Sequence, residues 1–301
     1  MSPIEHICDG EGAWGDGVRL AGPAIHAFRE TKSVLHESLR EIGVLEGTDG
    51  VILHTLQNLL GRIEEQTEGM LVCMSTGCGA AAETVARTVV ETSINFIYIL
   101  KGHRAKRIFS FFRIYLREHG KRLDEWSAFV AAQHSGEAAR TIQEIISSRR
   151  EGLDALRGFA EQIAVECGFP DEPASYDWNK KLFERFKATG HSESYWTVYH
   201  RLSAATHGNA EDTIRWLLGI CYRLIQQDEG PLLKLAEETV NYSAMMVRIA
   251  VRYYIEASID LCVIYDLWAA SKRLREISDE IGRAGLDLSV EAGVPTHGAR
   301  L

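Results

Sequence analysis

The 301-residue chain is 46% hydrophobic and 25% charged, a balance that excludes disordered and fibrous classes and leaves one large globular domain or two small ones. Its formal net charge of −9 excludes bulk attraction to nucleic acid or anionic lipid, so binding either requires a local basic patch. The N-terminus carries early acids and no apolar core run, unlike a signal peptide, and no uncharged apolar run reaches membrane-spanning length. A cytoplasmic protein with no membrane partner is expected. The cysteines (Cys8, Cys73, Cys78, Cys167, Cys221 and Cys262) are scattered without a CxxC pair, which points to free thiols in a reducing compartment.

Proline is confined to positions 3, 23, 170, 173, 231 and 295. The long proline-free stretches have helical periodicity, so the expected fold is all-α, a single multi-helix bundle. In chain order the pattern predicts an N-terminal arm over 1–23 and a helix near 24–43, ended by Gly43. Helices follow near 50–75 and 79–100, broken by the STGCG segment, then shorter ones near 104–118 and 121–133. A long helix near 137–167 stops at CGFPDEP, and the next starts near Asp177 as its cap. Residues 192–207 form a helix capped by Ser192 and ended by Gly208, and a further stretch covers about 212–227. A long helix or bent pair spans 232–283, and residues 284–301 form a tail. The bundle domain is therefore expected over 24–283.

The stretch YHRLSAATHG, 199–208, gathers Tyr199, His200, Arg201, Ser203 and His207 near one helix end. Residues seven apart nearly eclipse on a helix, so His200 and His207 share a face with Ser203 between them. Arg201 lies about 120° away and reaches the same edge with its long side chain. Either these groups form a site, or they are the wet face of a helix.

In ARTVVETSINFIYIL, 86–100, Arg87, Glu91 and Asn95 recur every fourth residue on one face of an apolar helix. A buried Arg needs acceptors and a buried Glu needs donors, so tertiary partners are expected. A role in orienting the residues of 199–207 follows. Between 101 and 122, eight basic residues stand against Glu118, and Phe109, Phe111, Phe112 and Tyr115 interleave with them. Arg104, Lys106, Arg107 and Arg113 are the candidate phosphate contacts there; a solvated face over core aromatics is the alternative. Arg248, Arg252, Glu256 and Asp260 make a polar stripe down the last long helix. The chain has no Walker loop, GxGxxG, HExxH or GxSxG motif, and no zinc-ligand spacing; neither metal nor cofactor is expected.

The RTVVE helix followed by a Tyr-containing helix with LSAATHG resembles a bacterial all-helical family of unknown function, with an RxxxE helix and a Tyr, Ser and His at a helix end. More distantly, Arg201 and His207, with five residues between them, are similar to the Arg–His motif of HEPN ribonucleases. Leu202 stands where such proteins carry a polar residue. That resemblance implies an up-and-down helical core with extra helices and metal-independent cleavage of RNA by a homodimer. It also implies a role in toxin–antitoxin or antiviral defence systems, with a cognate antitoxin or defence partner.

On that reading Arg201 holds the phosphate, His207 is base or acid, and Ser203 and Tyr199 orient the phosphate or the imidazole. His200 or a second His207 from a partner subunit completes the acid–base pair. Two other readings stand beside it. One is a non-catalytic binding or regulatory protein in which Arg87, Glu91, Ser203 and His207 form a buried polar network. The other is a small-molecule pocket in which Arg87 binds an anionic ligand.

Overall fold

The computed structural model describes residues 13–43, 45–169, 178–179, 181–206, 210–227 and 230–291. They are helical, with no strand among them. The protein is all-α. No helix among the described residues is long and apolar enough to cross a membrane. The chain falls into two compact units: Met1–Gly43, Leu56–Leu100 and Lys181–Leu301 form the first, and Val44–Thr55 with Lys101–Lys180 form the second.

The first unit is built from α1 (Ala13–Leu39), most of α2 (Gly47–Ser75), α3 (Gly79–Leu100) and α6 (Leu182–Thr189). It continues with α7 (Ser192–Ser194), a π-helical turn (Tyr195–Tyr199), α8 (His200–Thr206), α9 (Ala210–Gln226), α10 (Gly230–Ile264) and α11 (Trp268–Glu291). Its core is the seam between α3 and α10. Ala82, Ala86, Val89, Val90, Ile94 and Ile97 are wholly buried on α3, as are Val247, Ala250, Val251, Tyr254 and Ile255 on α10. Small residues early in α3 admit close approach, and the run from Phe96 to Leu100 is buried on every side, as expected of a central helix. Helices α1 and α11 pack on α10, while α6 and α8 pack on α3.

Helix α2 is tied in chiefly through Glu64. Glu64 lies 2.9 Å from Lys32 Nζ and 3.0 Å from His36 Nε2 on α1. It also accepts from the Tyr254 hydroxyl of α10 at 3.3 Å.

Residues 13–23, expected as an arm, are helical: α1 starts at Ala13 and runs through Pro23. Proline has no N–H for the carbonyl one turn back and crowds the preceding turn. The carbonyl one turn back from Pro23 belongs to Arg19; its neighbour Leu20 is bonded from outside the helix. Buried Arg248 of α10 donates its Nη2 to the Leu20 carbonyl at 3.0 Å. Burial pulls the Arg248 pKa down, and the carbonyl bond is part of what offsets its desolvation. At the far end α11 continues to Glu291, beyond the start expected for the tail.

The second unit contains a hairpin of α4 (Arg104–Gln133) and α5 (Gly136–Glu166). Helix α4 is continuous through Gly120, where two helices were expected. Leu116 and Leu123 flank that glycine and pack with Leu153 of α5, Trp126 and Ala160. Burying these side chains outweighs the roughly 1 kcal/mol that a mid-helix glycine costs. Polar ties line the same hairpin. Arg113 donates to Glu161 through Nε at 2.8 Å and Nη2 at 2.5 Å, and to the Phe169 carbonyl at 3.2 Å. This guanidinium holds the Glu161 carboxyl below its usual range.

The Arg248–Leu20 contact sets a stability prediction. Arg248→Met should lower the unfolding free energy by about 2 kcal/mol, because it removes a charge-assisted hydrogen bond between α10 and α1. Urea denaturation measures the loss, and an unchanged midpoint would contradict the assignment.

Candidate functional site

The site lies in the first unit, where α6, the π-helical turn and α8 meet the polar face of α3. Gly190, in the left-handed region at φ 90°, ends α6, with His191 N–H donating to the Phe186 carbonyl at 2.8 Å. The chain re-enters a helix at Ser192 and widens at Tyr195–Tyr199, where His200 N–H reaches back five residues to the Tyr195 carbonyl. Such single π turns insert an extra residue into a helix and recur at functional sites. Here the turn stacks Tyr195 on Tyr199 (centroids 5.5 Å apart, planes at 25°) and brings Trp196 near His200 at 6.0 Å.

The turn divides its residues cleanly. Val198, Tyr199 and Leu202 are buried, while Trp196, His200 and Arg201 are exposed and Ser203 is half-buried. The Tyr199 ring packs on Phe186 at 5.7 Å, and the Arg87 guanidinium carbon lies 5.1 Å from its centroid. Arg87 Nη2 donates to the Tyr199 hydroxyl at 2.7 Å, and that hydroxyl donates to Glu91 Oε2 at 2.9 Å. Arg87 and Glu91 themselves stand 3.7 Å apart, so the tyrosine oxygen bridges a pair that is otherwise in loose contact.

A second guanidinium belongs to this cluster. Arg185 of α6 is 7% exposed; burial pulls its pKa down, opposed by the Glu91 charge and by Tyr98 and Tyr199. Two arginines thus attend one carboxylate, leaving the cluster net positive. Tyr199 is pushed up to about 12, first by burial, then by the Glu91 charge and the hydrogen bond to it, with Arg87 opposing. The phenol stays protonated at neutral pH and acts as a relay of hydrogen bonds rather than as a base.

The structure therefore brings Arg87, Glu91 and Tyr199 together and adds Arg185. Asn95 continues the α3 row one turn on, with a buried Oδ1 that has no hydrogen-bond partner. His200 and Arg201 face outward beside the cluster rather than into it. His207 lies outside the described residues. Of the basic candidates in the second unit, Arg104, Lys106 and Arg107 are half-exposed, whereas Arg113 is buried in its pair with Glu161. Arg107 also folds back over Gly102, in space a Cβ there would occupy.

The Arg185 position was readable in principle. Leu182, Arg185, Phe186 and Thr189 are spaced by three and four, an inward face that contains one charge. The π turn has no comparable signal, since five consecutive residues of YWTVY suit an α-helix equally well.

An all-α unit with an Arg–Tyr–Glu bridge linking its central helix to a π-widened turn is the class that fold and site define. Residues 53–218 match DUF5677, a family of unknown function, and the chain belongs to that family. The matched segment contains Arg87, Glu91, Arg185 and Tyr199, and so the whole bridge. Neither a curated protein nor a solved structure matches the chain.

Tyr199→Phe removes a hydroxyl that both accepts from and donates to a charged group, so it should cost about 2–3 kcal/mol of unfolding free energy. Arg87→Met should cost less in the Tyr199→Phe chain than in the native one, and equal costs would show that no bridge exists.

The raised phenols also set a pH dependence. Tyr199 and Tyr253 keep their protons to about 12 when folded, against 10.0 for an ordinary tyrosine. Over that interval the unfolded chain binds fewer protons, so stability should fall as pH rises from 10 towards 12. Tyr199→Phe should flatten part of that slope in denaturant titrations, leaving the share due to Tyr253 and to Tyr254, whose phenol burial also pushes up.

Proposed function

We propose that the chain is a metal-independent endoribonuclease, with Arg201 holding the scissile phosphodiester and His207 transferring protons. The observation that supports this reading is the two-sidedness of the 195–203 turn. Tyr199 is clamped from beneath by Arg87 and Glu91, while Arg201 and His200, two residues able to handle a phosphate, stand exposed on the adjoining surface. A guanidinium on a rigidly anchored turn holds phosphate oxygens bidentately without first ordering its backbone.

In the proposed reaction His207 takes the proton of the ribose 2′-OH, and the 2′ oxygen attacks phosphorus. Arg201 stabilises the charge that builds on the non-bridging oxygens. The bond to the 5′ oxygen breaks, and His200, entering protonated, supplies the proton to that leaving oxygen. The products are a 2′,3′-cyclic phosphate and a 5′-hydroxyl. Arg104 and Lys106 of the second unit are separate candidate contacts to an RNA backbone. A role as a toxin or phage-defence effector would follow from such an activity.

A second reading is favoured by one feature of the bridge. The Tyr199 hydroxyl spends its donor and an acceptor on Glu91 and Arg87 within the protein. Such a satisfied network also suits a non-catalytic binding or regulatory protein whose helix packing it fixes.

Incubation of the purified protein with single-stranded RNA in EDTA separates the two. Cleavage is expected, an all-2′-deoxy strand should resist, and Arg201→Ala should slow turnover by about 10²–10³-fold. His207→Ala should abolish cutting, and undiminished cleavage by that variant would remove the proposal. Replacing Arg104 and Lys106 together by Gln should lower RNA affinity and reduce the salt-dependence slope by about 1–2, whatever the sequence of the strand.

A further inference from the structure

Helix α9 carries an apolar stripe that nothing among the described residues covers. Ile214, Leu217, Leu218, Leu224 and Ile225 are 55%, 57%, 55%, 73% and 79% exposed, and half-buried Cys221 lies in line with them. On a helix these positions fall within about 120° of one another, while buried Gly219 lies on the other side. Helix α9 packs on α10, so the stripe is the face it does not use. Leu233 and Val240, seven residues apart on α10 and also exposed, extend the apolar surface.

We propose that this surface is a two-fold interface between two copies of the chain, formed by antiparallel pairing of α9 with α9. Three observations point to a second copy as the occupant. The spacing comes first: along the middle of the stripe 214, 218, 221 and 225 are separated by four, three and four residues, with Leu217 and Leu224 flanking that line. In an antiparallel pair each of the four then meets another member of the same set, as an isologous contact pairs i with j and j with i. Pairing about a point between Gly219 and Ile220 sets Ile214 against the partner's Ile225 and Leu218 against the partner's Cys221.

Area is the second. The stripe exposes on the order of 600 Å² of apolar surface, at the upper end of what monomers tolerate and close to the roughly 800 Å² each partner contributes to a standard interface. Leu233 and Val240 supply part of the remainder. Geometry is the third. The three-and-four alternation is the spacing by which one helix seats its side chains between those of another, and α9 with the start of α10 presents two helices per copy, the half of a four-helix bundle. The inference stands on this surface and not on the ribonuclease reading.

Sedimentation velocity of the full chain at tens of micromolar tests it. Twice the 33.6 kDa chain mass is expected. Leu218→Glu, which places a charge beside its symmetry mate at the centre of the contact, should raise the dimer dissociation constant at least ~100-fold with helical circular dichroism unchanged. Leu218→Cys should form an intermolecular disulfide with the partner's Cys221 on mild oxidation, seen as a covalent dimer on a non-reducing gel in which two copies of the 216–223 peptide are linked; this readout also serves should the glutamate variant fail to fold. A native chain that remains monomeric overturns the proposal, including one that instead binds lipid vesicles through α9. So does a Leu218→Glu chain that still dimerises, or a Leu218→Cys dimer that never links 218 to 221.

Discussion

A single phenolic oxygen, held between the Arg87 guanidinium and the Glu91 carboxylate, fixes where the 195–206 segment sits on α3. Without it the two charges would face each other at 3.7 Å across a helix turn, with the arginine preceding the glutamate, the weaker order for such a pair. The tyrosine converts that weak local pair into a tertiary tie. It donates to the acid and accepts from the base, so each charge keeps a partner when the helix surface is covered. The same oxygen explains why the chain widens into a π turn just before α8. The extra residue carries Tyr199 inward onto Phe186 and leaves His200 and Arg201 outside. The buried Arg185 of α6 lies within electrostatic reach of Glu91, so charges from two helices and the phenol of the π turn gather around one carboxylate.

Four helix ends share one chemistry, and one of the four forms without a glycine. The helices ending near Ser75, Glu166 and Thr189 each turn at a left-handed glycine: Gly77 (φ 76°), Gly168 (φ 81°) and Gly190 (φ 90°). In each, an N–H reaches back five residues: Cys78 to Cys73, Phe169 to Ala164 and His191 to Phe186. The α10–α11 junction closes the same way, through Leu267 N–H to the Cys262 carbonyl, but its left-handed residue is Asp266, at φ 58°. Aspartate tolerates this region better than most side chains because its short polar group bonds locally. The turn therefore forms without the glycine that would have announced it.

That difference sets how much was legible. The boundaries of α3 at 79 and 100 and the ends of α2 and α5 were readable because glycine or a polar break marks them. Helix α1 begins ten residues or so earlier than Pro23 implied, and its packing on α10, which includes the Arg248 bond to the Leu20 carbonyl, is invisible to local pattern. The Arg87–Glu91–Asn95 row was visible as three polar residues on an apolar helix, and its partner helix was guessed from the tyrosine and histidines of 199–207. Which of those residues turned inward could not be read. An ideal α-helix gives one wheel, and the π turn shifts every later residue on it. The division into two units also left no mark, since the 101–180 segment has the same helical composition as the rest.

Charge counted along a sequence and charge available to a partner are different quantities, and the 101–122 stretch shows the gap. Eight basic residues against Glu118 read as a strong positive face. Folded, Arg113 is consumed by Glu161, a residue almost fifty positions away that no local count includes. Arg117 and Lys121 both attend Glu118, at 3.3 and 3.5 Å. Arg107 lies back over Gly102. Arg104 and Lys106 at the start of α4, and Arg122 further along it, lie outside those pairs, so the positive field is patchier than the count along the sequence implies. A patchy field suits a contact of one or two phosphates better than a long electrostatic track, because counterion release scales with the number of phosphates neutralised.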